Sequence, residues 1–76
     1  MTMTENALIK DTKQLGAAIR ARRKAAGLTQ KKAAALAGVG TRFLSELERG
    51  KPTSEVGKTI RIIQLLGLEL RITSRK

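Results

Sequence analysis

The chain has 76 residues, with 16 lysines and arginines against 6 acidic residues and a formal net charge of +10. A chain this short forms one domain with a small core, because it buries only about 60% of the surface that its unfolded form exposes. Histidine, cysteine, tryptophan and tyrosine are absent, which removes the usual general base and the thiolate metal ligands. These residues argue against an enzyme and predict no cofactor and no bound metal.

The charge and the short apolar stretches indicate the kind of partner. No stretch approaches the roughly 20 apolar residues of a membrane span, and the N-terminus has no signal-peptide pattern, so we expect a cytoplasmic protein. A large cationic surplus favours a polyanion as partner, either nucleic acid or an anionic membrane surface, over a face that only aids solubility. Nucleic acid is the favoured partner.

The first helix is predicted behind a polar arm. Residues 1–11 are unpatterned and are predicted to form a mobile arm, or at most a short edge strand. Thr12 is the expected N-cap of the helix, and Gly27 is expected to end it. Apolar residues recur at helical spacing between them: Leu15, Ala18, Ile19 and Ala26.

Two short helices are predicted next. Thr29 is expected to cap a helix over Gln30–Ala37. Thr41 is expected to cap another, which runs to about Arg49 and ends at Gly50.

The turn between these two helices has a distinctive pattern. Helices that meet steeply through residues 38–40 need a small residue where they touch, which Ala34 supplies, and a turn glycine, which Gly38 supplies. An ordinary αα-hairpin would tolerate the same pattern. The positions expected to face inward are all apolar: Ala33, Ala37, Val39, Leu44 and Leu47.

A fourth helix and a strand complete the prediction. Ser54 is expected to cap the helix, with Glu55 in its first turn, where the helix dipole favours a carboxylate; Gly67 is expected to end it. Apolar and polar residues then alternate over Leu68–Thr73, which predicts a half-buried strand that must pair with the N-terminal arm or with a second chain. The apolar stripe of the helix comprises Val56, Ile60, Ile63 and Leu66, widened by Ile62 and Leu65.

Residues 15–66 resemble the helix-turn-helix family of phage repressors and Cro-like (XRE-type) regulators. The resemblance is carried by LGAAIRARRKAAGLTQKKAAALAGVGTRFLSELERGKP, and most specifically by GLTQ at 27–30 and LSELERGK at 44–51. The compact tail IIQLLGLELRI makes the chain most similar to HipB-type antitoxins. Such antitoxins repress their own operon as dimers and bind a HipA-type serine/threonine kinase toxin.

The resemblance implies a fold and a division of the chain into three parts. The expected fold is all-α, a four- to five-helix repressor-like helix-turn-helix domain with a short C-terminal β-strand that pairs between subunits. The expected parts are a flexible arm at 1–11, the DNA-binding domain at 12–67 with its helix-turn-helix at 29–49, and a dimerisation strand and tail at 68–76. The dimerisation residues are expected to be Leu68, Leu70 and Ile72.

The resemblance also implies which residues meet DNA. Gln30 is expected to donate to a phosphate at a helix N-terminus, where its amide and the free backbone N–H groups point at the same anion. The base-contacting residues are expected to be Gly40, Thr41, Arg42, Ser45 and Glu46. The phosphate-contacting residues are expected to be Gln30, Arg49, Lys51 and Lys58.

Several of these roles have alternatives. The guanidinium of Arg42 matches guanine O6 and N7, but Arg42 could instead contact only phosphate. Glu46 could accept from cytosine N4 or simply brace Arg42. Arg49, Lys51 and Lys58 could be solvated surface charges that do not contact phosphate.

Other residues are assigned structural or partner roles. The resemblance implies an ion pair between Arg23 and Glu48 that joins the first and third helices. Phe43 is favoured as a core residue against the fourth helix, with contact to a second subunit or a toxin as the alternative. For Leu36, packing in the core and contact with a second subunit or a toxin are equally favoured.

The sequence-based hypothesis is a homodimeric autorepressor that binds a near-palindromic operator in double-stranded DNA and a HipA-type kinase toxin. A free-standing regulator without a toxin is the first alternative. A protein-binding adaptor with weak DNA binding is the second. RNA or single-strand binding is disfavoured because it relies on aromatic stacking platforms, and the chain has one phenylalanine as its sole aromatic residue.

Overall fold

The computed structural model describes residues 8–75 of the chain. This part of the chain contains four helices. They are α1 (Thr12–Ala25), α2 (Gln30–Ala37), α3 (Thr41–Glu48) and α4 (Val56–Leu65). This arrangement confirms the predicted all-α fold with four helices in the expected order.

Neither of the two predicted flanking segments forms a helix or a strand among the described residues. Most of the predicted arm, residues 1–7, lies outside the described residues, and residues 8–10 are exposed and belong to no helix or strand. Residues 68–75 also form neither helix nor strand in this single chain. A strand there requires a second strand to complete its backbone hydrogen bonds, and residues 8–75 contain none.

One core joins the helices. α2 packs against both α3 and α4, and α1 packs against α3. The small contact residue Ala34 is 1% exposed, and Gly38 ends α2 in the left-handed conformation with φ of 73°, as the turn pattern predicted. The buried apolar residues are Ile19, Ala33, Ala34, Ala37, Leu44, Leu47, Ile62, Ile63 and Leu66.

The start of α1 differs from the prediction. Asp11, not Thr12, is the N-cap, and its carboxylate accepts from the backbone N–H of Gln14 at 2.8 Å. The Thr12 hydroxyl instead donates to the carbonyl of Gly50 at 2.7 Å. Thr12 therefore ties the start of α1 to the end of α3. The predicted cap of α2 is confirmed, since Thr29 accepts from the N–H of Lys32.

The caps predicted for α3 and α4 were wrong. Gly40 is the N-cap of α3 and Glu55 that of α4, and neither makes a side-chain capping bond. Thr41 is already helical, and the Ser54 hydroxyl donates to the Lys51 carbonyl at 3.2 Å, within the connecting turn. α4 thus begins one residue later than a Ser54 cap would place it.

The buried face of α4 is also rotated from the predicted stripe. Val56 is 70% exposed, although the sequence pattern placed it in the core. Thr59 takes the corresponding buried position, and its hydroxyl is satisfied by the carbonyl of Glu55 at 2.8 Å. The buried residues of α4 are Thr59, Ile62 and Ile63, followed by Leu66 at its end.

α1 and α3 come into backbone contact at Gly16. A Cβ atom at Gly16 would lie 2.4 Å from the carbonyl oxygen of Leu47 and 2.6 Å from that of Glu48. Gly16 is buried in the second turn of α1. Because Gly16 has no side chain, α1 packs directly against the last turn of α3. This close approach sets the position of α3 relative to α1.

Candidate nucleic-acid interface

α3 presents a polar face to solvent. Leu44 and Leu47 are buried on its inner side. On the outer side, Arg42 has a side chain that is 91% exposed, while Ser45 and Glu46 are half-buried. Gly40 and Thr41 are exposed at the start of the helix. The structure therefore brings the five residues that were predicted to contact bases to one helix and its N-cap.

The polar side chains on this face are bonded to one another. Glu46 Oε2 accepts from Arg42 Nε at 3.3 Å, and Glu46 Oε1 accepts from Lys51 Nζ at 3.1 Å. Arg49 Nη1 donates to the hydroxyl of Ser45 at 3.1 Å. The hydrogen bond from Lys51, followed by that from Arg42, holds the pKa of the Glu46 carboxyl below its usual value. Glu46 is therefore ionised at neutral pH.

A buried ion pair supports α3 from behind. Arg23 Nε lies 2.6 Å from Glu48 Oε2, and Arg23 Nη2 lies 2.9 Å from Glu48 Oε1. The two side chains are 8% and 2% exposed. Arg23 Nη1 also donates to the carbonyl of Leu28. Arg23 therefore joins α1 to the end of α3 through Glu48 and to the loop before α2 through Leu28.

The Glu48 carboxylate is stabilised in its charged form. Burial raises the pKa of this carboxyl, but the hydrogen bonds from Arg23 and Gln30 outweigh that effect, and the pKa is lowered overall. A buried charge is tolerated only when its partners satisfy it. Glu48 meets this condition through three hydrogen bonds.

Gln30 belongs to the same network. Its Nε2 donates to Glu48 Oε1 at 3.0 Å. Sequence reasoning missed this bond, because no local pattern relates two residues on different helices. An amide nitrogen carries two hydrogens, so one bond to Glu48 leaves Nε2 a second donor at the start of α2. The buried ion pair thus sets the orientation of the residue that was predicted to meet a phosphate.

Lys58 lies beside α3 as well. Its Nζ is 5.6 Å from the ring centroid of Phe43 and 3.7 Å from Glu55 Oε2. A cation at that distance from an aromatic ring is attracted to its face. Phe43 is partly buried against the core, in line with the favoured interpretation, whereas Leu36 is 57% exposed.

The residues that follow α4 start from an anchored point. Arg22 Nε donates to the carbonyl of Leu66 at 2.8 Å, a contact that sequence reasoning missed. Leu68 is partly buried against the core, but Leu70 is 57% and Ile72 is 94% exposed. A groove runs between α4 and this segment, lined by Ile60, Ile63, Gln64, Leu68, Glu69, Leu70 and Arg71.

Residues 8–75 contain neither a membrane-spanning helix nor a cluster of metal-binding side chains. None of the helices there is long and apolar enough to cross a membrane. The same part of the chain holds no group of three or more acidic side chains placed to bind a metal ion.

The fold and the exposed face of α3 define a helix-turn-helix protein. Residues 14–71 match the sequence profile of a family described as "Helix-turn-helix domain", so the chain belongs to that family. It is 44% identical over 64 residues, 84% of each chain, to an "Uncharacterized HTH-type transcriptional regulator" from Sinorhizobium fredii.

Solved structures share the fold. A chain from a structure described as a HipA-HipB-O2-O3 complex is 24% identical, with a TM-score of 0.84 over 93% of this chain and all of the other. A chain from a structure described as a HipB-O4 20mer complex has a TM-score of 0.83 at the same identity and coverage. These neighbours confirm the predicted HipB-like helix-turn-helix fold.

Proposed function

We propose that the chain is a sequence-specific DNA-binding transcriptional repressor. The observation that carries this proposal is the outer face of α3, where Arg42 is 91% exposed and the helix is held from behind by the buried pair of Arg23 and Glu48. A rigid helix with exposed polar side chains suits the major groove of DNA, where base edges differ in their donors and acceptors. The net charge of +10 favours a polyanionic partner.

The proposed DNA contacts lie on α3, on its flanks and at the start of α2. Arg42 reads a guanine, and Gly40, Thr41, Ser45 and Glu46 lie along the same groove. Gln30 donates to a phosphate at the start of α2, where the backbone N–H groups also favour an anion. Arg49, Lys51 and Lys58 hold phosphates on the flanks of α3. The relative from Sinorhizobium fredii, which is named a transcriptional regulator, supports the role as a regulator.

The first experiment titrates the purified protein with its own upstream DNA and with a scrambled duplex, by fluorescence anisotropy at several salt concentrations. We expect the native sequence to bind at least about a thousandfold tighter than the scrambled one. We also expect affinity to fall steeply with salt, since each neutralised phosphate adds about 0.9 to the slope. Arg42→Ala should reduce the preference by about 1–3 kcal/mol.

A matched variant separates the two kinds of contact. Lys58→Met removes one proposed phosphate contact, so it should weaken binding to both duplexes equally and lower the salt slope by about 1. Equal and weak binding of the unaltered protein to both duplexes would contradict the proposed function and favour an adaptor.

The repressor is proposed to act as a homodimer through residues 68–76. Leu70 and Ile72 alternate with polar residues and expose their apolar side chains in the single chain. Pairing this segment with its copy would satisfy the backbone of both strands and cover these side chains. A two-fold dimer would place two recognition helices in successive major grooves, about 34 Å apart, on a near-palindromic operator.

Sedimentation velocity at micromolar concentration tests this assembly. We expect a dimer for the unaltered protein and a monomer for Ile72→Lys, because the buried charge would have no partner. Thr73→Lys adds the same charge on the opposite face of the strand and should leave the dimer intact. A monomeric unaltered protein would contradict the proposed assembly.

The finer proposal is that this repressor is the antitoxin of a HipA-type kinase. It is supported by the fold shared with a chain from a HipA-HipB complex. A kinase-like reading frame next to the gene would support the antitoxin. Its absence would favour a free-standing regulator.

A further inference from the structure

Glu46 holds two cations on the face of α3. One carboxylate oxygen accepts from Arg42 Nε at 3.3 Å and the other from Lys51 Nζ at 3.1 Å. The Glu46 side chain is 22% exposed, whereas that of Arg42 is 91% exposed. The carboxylate therefore lies at the base of the face, and the two cations extend from it.

The contact with Lys51 is a consequence of how α3 ends. Gly50 takes the left-handed conformation with φ of 89°, the Gly50 N–H bonds to the Leu47 carbonyl, and the Lys51 N–H bonds to the Glu46 carbonyl at 3.1 Å. Helix ends of this type bring the side chains at these two outer positions together, usually as an apolar contact. Here an ion pair takes that place. The helix end itself therefore sets Lys51 beside Glu46.

The contact with Arg42 leaves its recognition atoms outside the bond. Glu46 accepts from Nε, whereas the pairing with guanine O6 and N7 can be made by the two terminal Nη groups of the fork. Arg42 can therefore read a base and keep its bond to Glu46 at the same time. If Arg42 turned instead to a nearby phosphate, that bond would be lost and the carboxylate would be left facing a polyanion.

We propose that Glu46 is a specificity-determining residue that positions Arg42 for one base and penalises binding to sequences that offer phosphates alone. This role rests on the proposed function and deepens it. Like-charge repulsion between the carboxylate and DNA phosphates weakens every complex. Only a DNA sequence that offers a matching base to Arg42, in the position where Glu46 holds it, recovers this lost affinity. Glu46 thus acts through Arg42, without a base contact of its own.

The test compares E46Q with E55Q in the anisotropy titration described above. Both variants raise the net charge by one and release a lysine from a surface ion pair, because Glu55 pairs with Lys58. We expect E46Q to bind the scrambled duplex several-fold more tightly and to lower the ratio of native to scrambled affinity about tenfold. We expect E55Q to strengthen both complexes alike and to leave that ratio unchanged. Thermal unfolding of each variant checks that the fold is retained.

The R42A background distinguishes positioning from a direct contact. We expect E46Q to have no further effect on the ratio once Arg42 is absent. A further loss of about tenfold in that background would mean that Glu46 itself contacts a base and would overturn the positioning role. An equal ratio for E46Q and E55Q would overturn it too. A protein that binds both duplexes equally before any substitution would instead overturn the proposed function and, with it, this role.

Discussion

Replacing Glu48 by glutamine is expected to lower the free energy of unfolding by about 3 kcal/mol. The substitution keeps the shape of the side chain but leaves the guanidinium of Arg23 as an uncompensated charge that is 8% exposed. A domain of this length has a total stability of about 4–11 kcal/mol, so the melting temperature should fall by more than about 10 °C. Denaturant unfolding measures the first change and thermal unfolding measures the second, both followed by circular dichroism.

Glu69→Gln is the matched control. Glu69 pairs with Arg71 at 3.2 Å, but both side chains are more than 70% exposed, and exposed pairs contribute only about 0–1 kcal/mol. The unfolding curve should therefore hardly change. Replacing Arg23 and Glu48 together by methionine and leucine should recover much of the loss, because an apolar pair of similar volume avoids the desolvation cost. Equal small effects of Glu48→Gln and Glu69→Gln would show that the buried pair is not a structural element.

The same pair makes stability depend on pH. Because the pKa of Glu48 is lower in the folded protein than its ordinary value of 4.5, the folded state gains stability above that pH. The gain is lost as the pH falls through the folded-state pKa. The melting temperature of the unaltered protein should therefore fall more steeply below pH 4.5 than that of Glu48→Gln.

Replacing Gly16 by alanine is expected to lower the free energy of unfolding by about 2 kcal/mol. The new methyl group would lie 2.4 Å from the Leu47 carbonyl oxygen and 2.6 Å from that of Glu48. These are backbone atoms at the end of a helix, so α1 and α3 must separate to admit it. The cost of this separation exceeds the gain of about 1 kcal/mol that alanine brings to a helix interior. Chemical denaturation measures the difference.

Gly57→Ala is the control for helix propensity. Gly57 also lies within a helix, but it is exposed and a Cβ atom there would meet nothing within 4 Å. The same substitution should therefore raise the free energy of unfolding, by up to about 1 kcal/mol. Opposite signs for the two alanine variants are the expected outcome. If Gly16→Ala stabilised the protein as well, the close approach of α1 and α3 would not be a constraint on the fold.

The substitutions of Glu48 and Gly16 are also expected to affect the proposed DNA interface. Gly16 and the pair of Arg23 and Glu48 both determine how α1 holds the end of α3, and Glu48 also accepts a hydrogen bond from Gln30. A variant that moves these contacts would shift α3 relative to the start of α2. We therefore expect stability and DNA affinity to change together at these positions, whereas Arg42→Ala should change only binding.

Local pattern predicted much of this fold from the residues alone. The helix boundaries of α2, the Thr29 cap and the left-handed glycine at position 38 all follow from interactions within a few residues of the chain. The family resemblance supplied more, since the pairing of Arg23 with Glu48 was implied by relatives and by no local spacing. The choice of Asp11 over Thr12 as a cap could not be predicted, because both are good caps and a distant carbonyl, that of Gly50, decided between them.

By itself, then, the sequence determined the number and order of the helices, the turn between α2 and α3, and the cationic character of the surface. The tertiary structure alone decided that Gly16 is a contact point, that Val56 is exposed, and that Glu48 orients Gln30. The physical reason is the range of the interactions. Helix periodicity, capping and turn conformation depend on neighbouring residues, whereas close approaches and buried charge networks join residues from separate helices, whose relative positions exist only after packing.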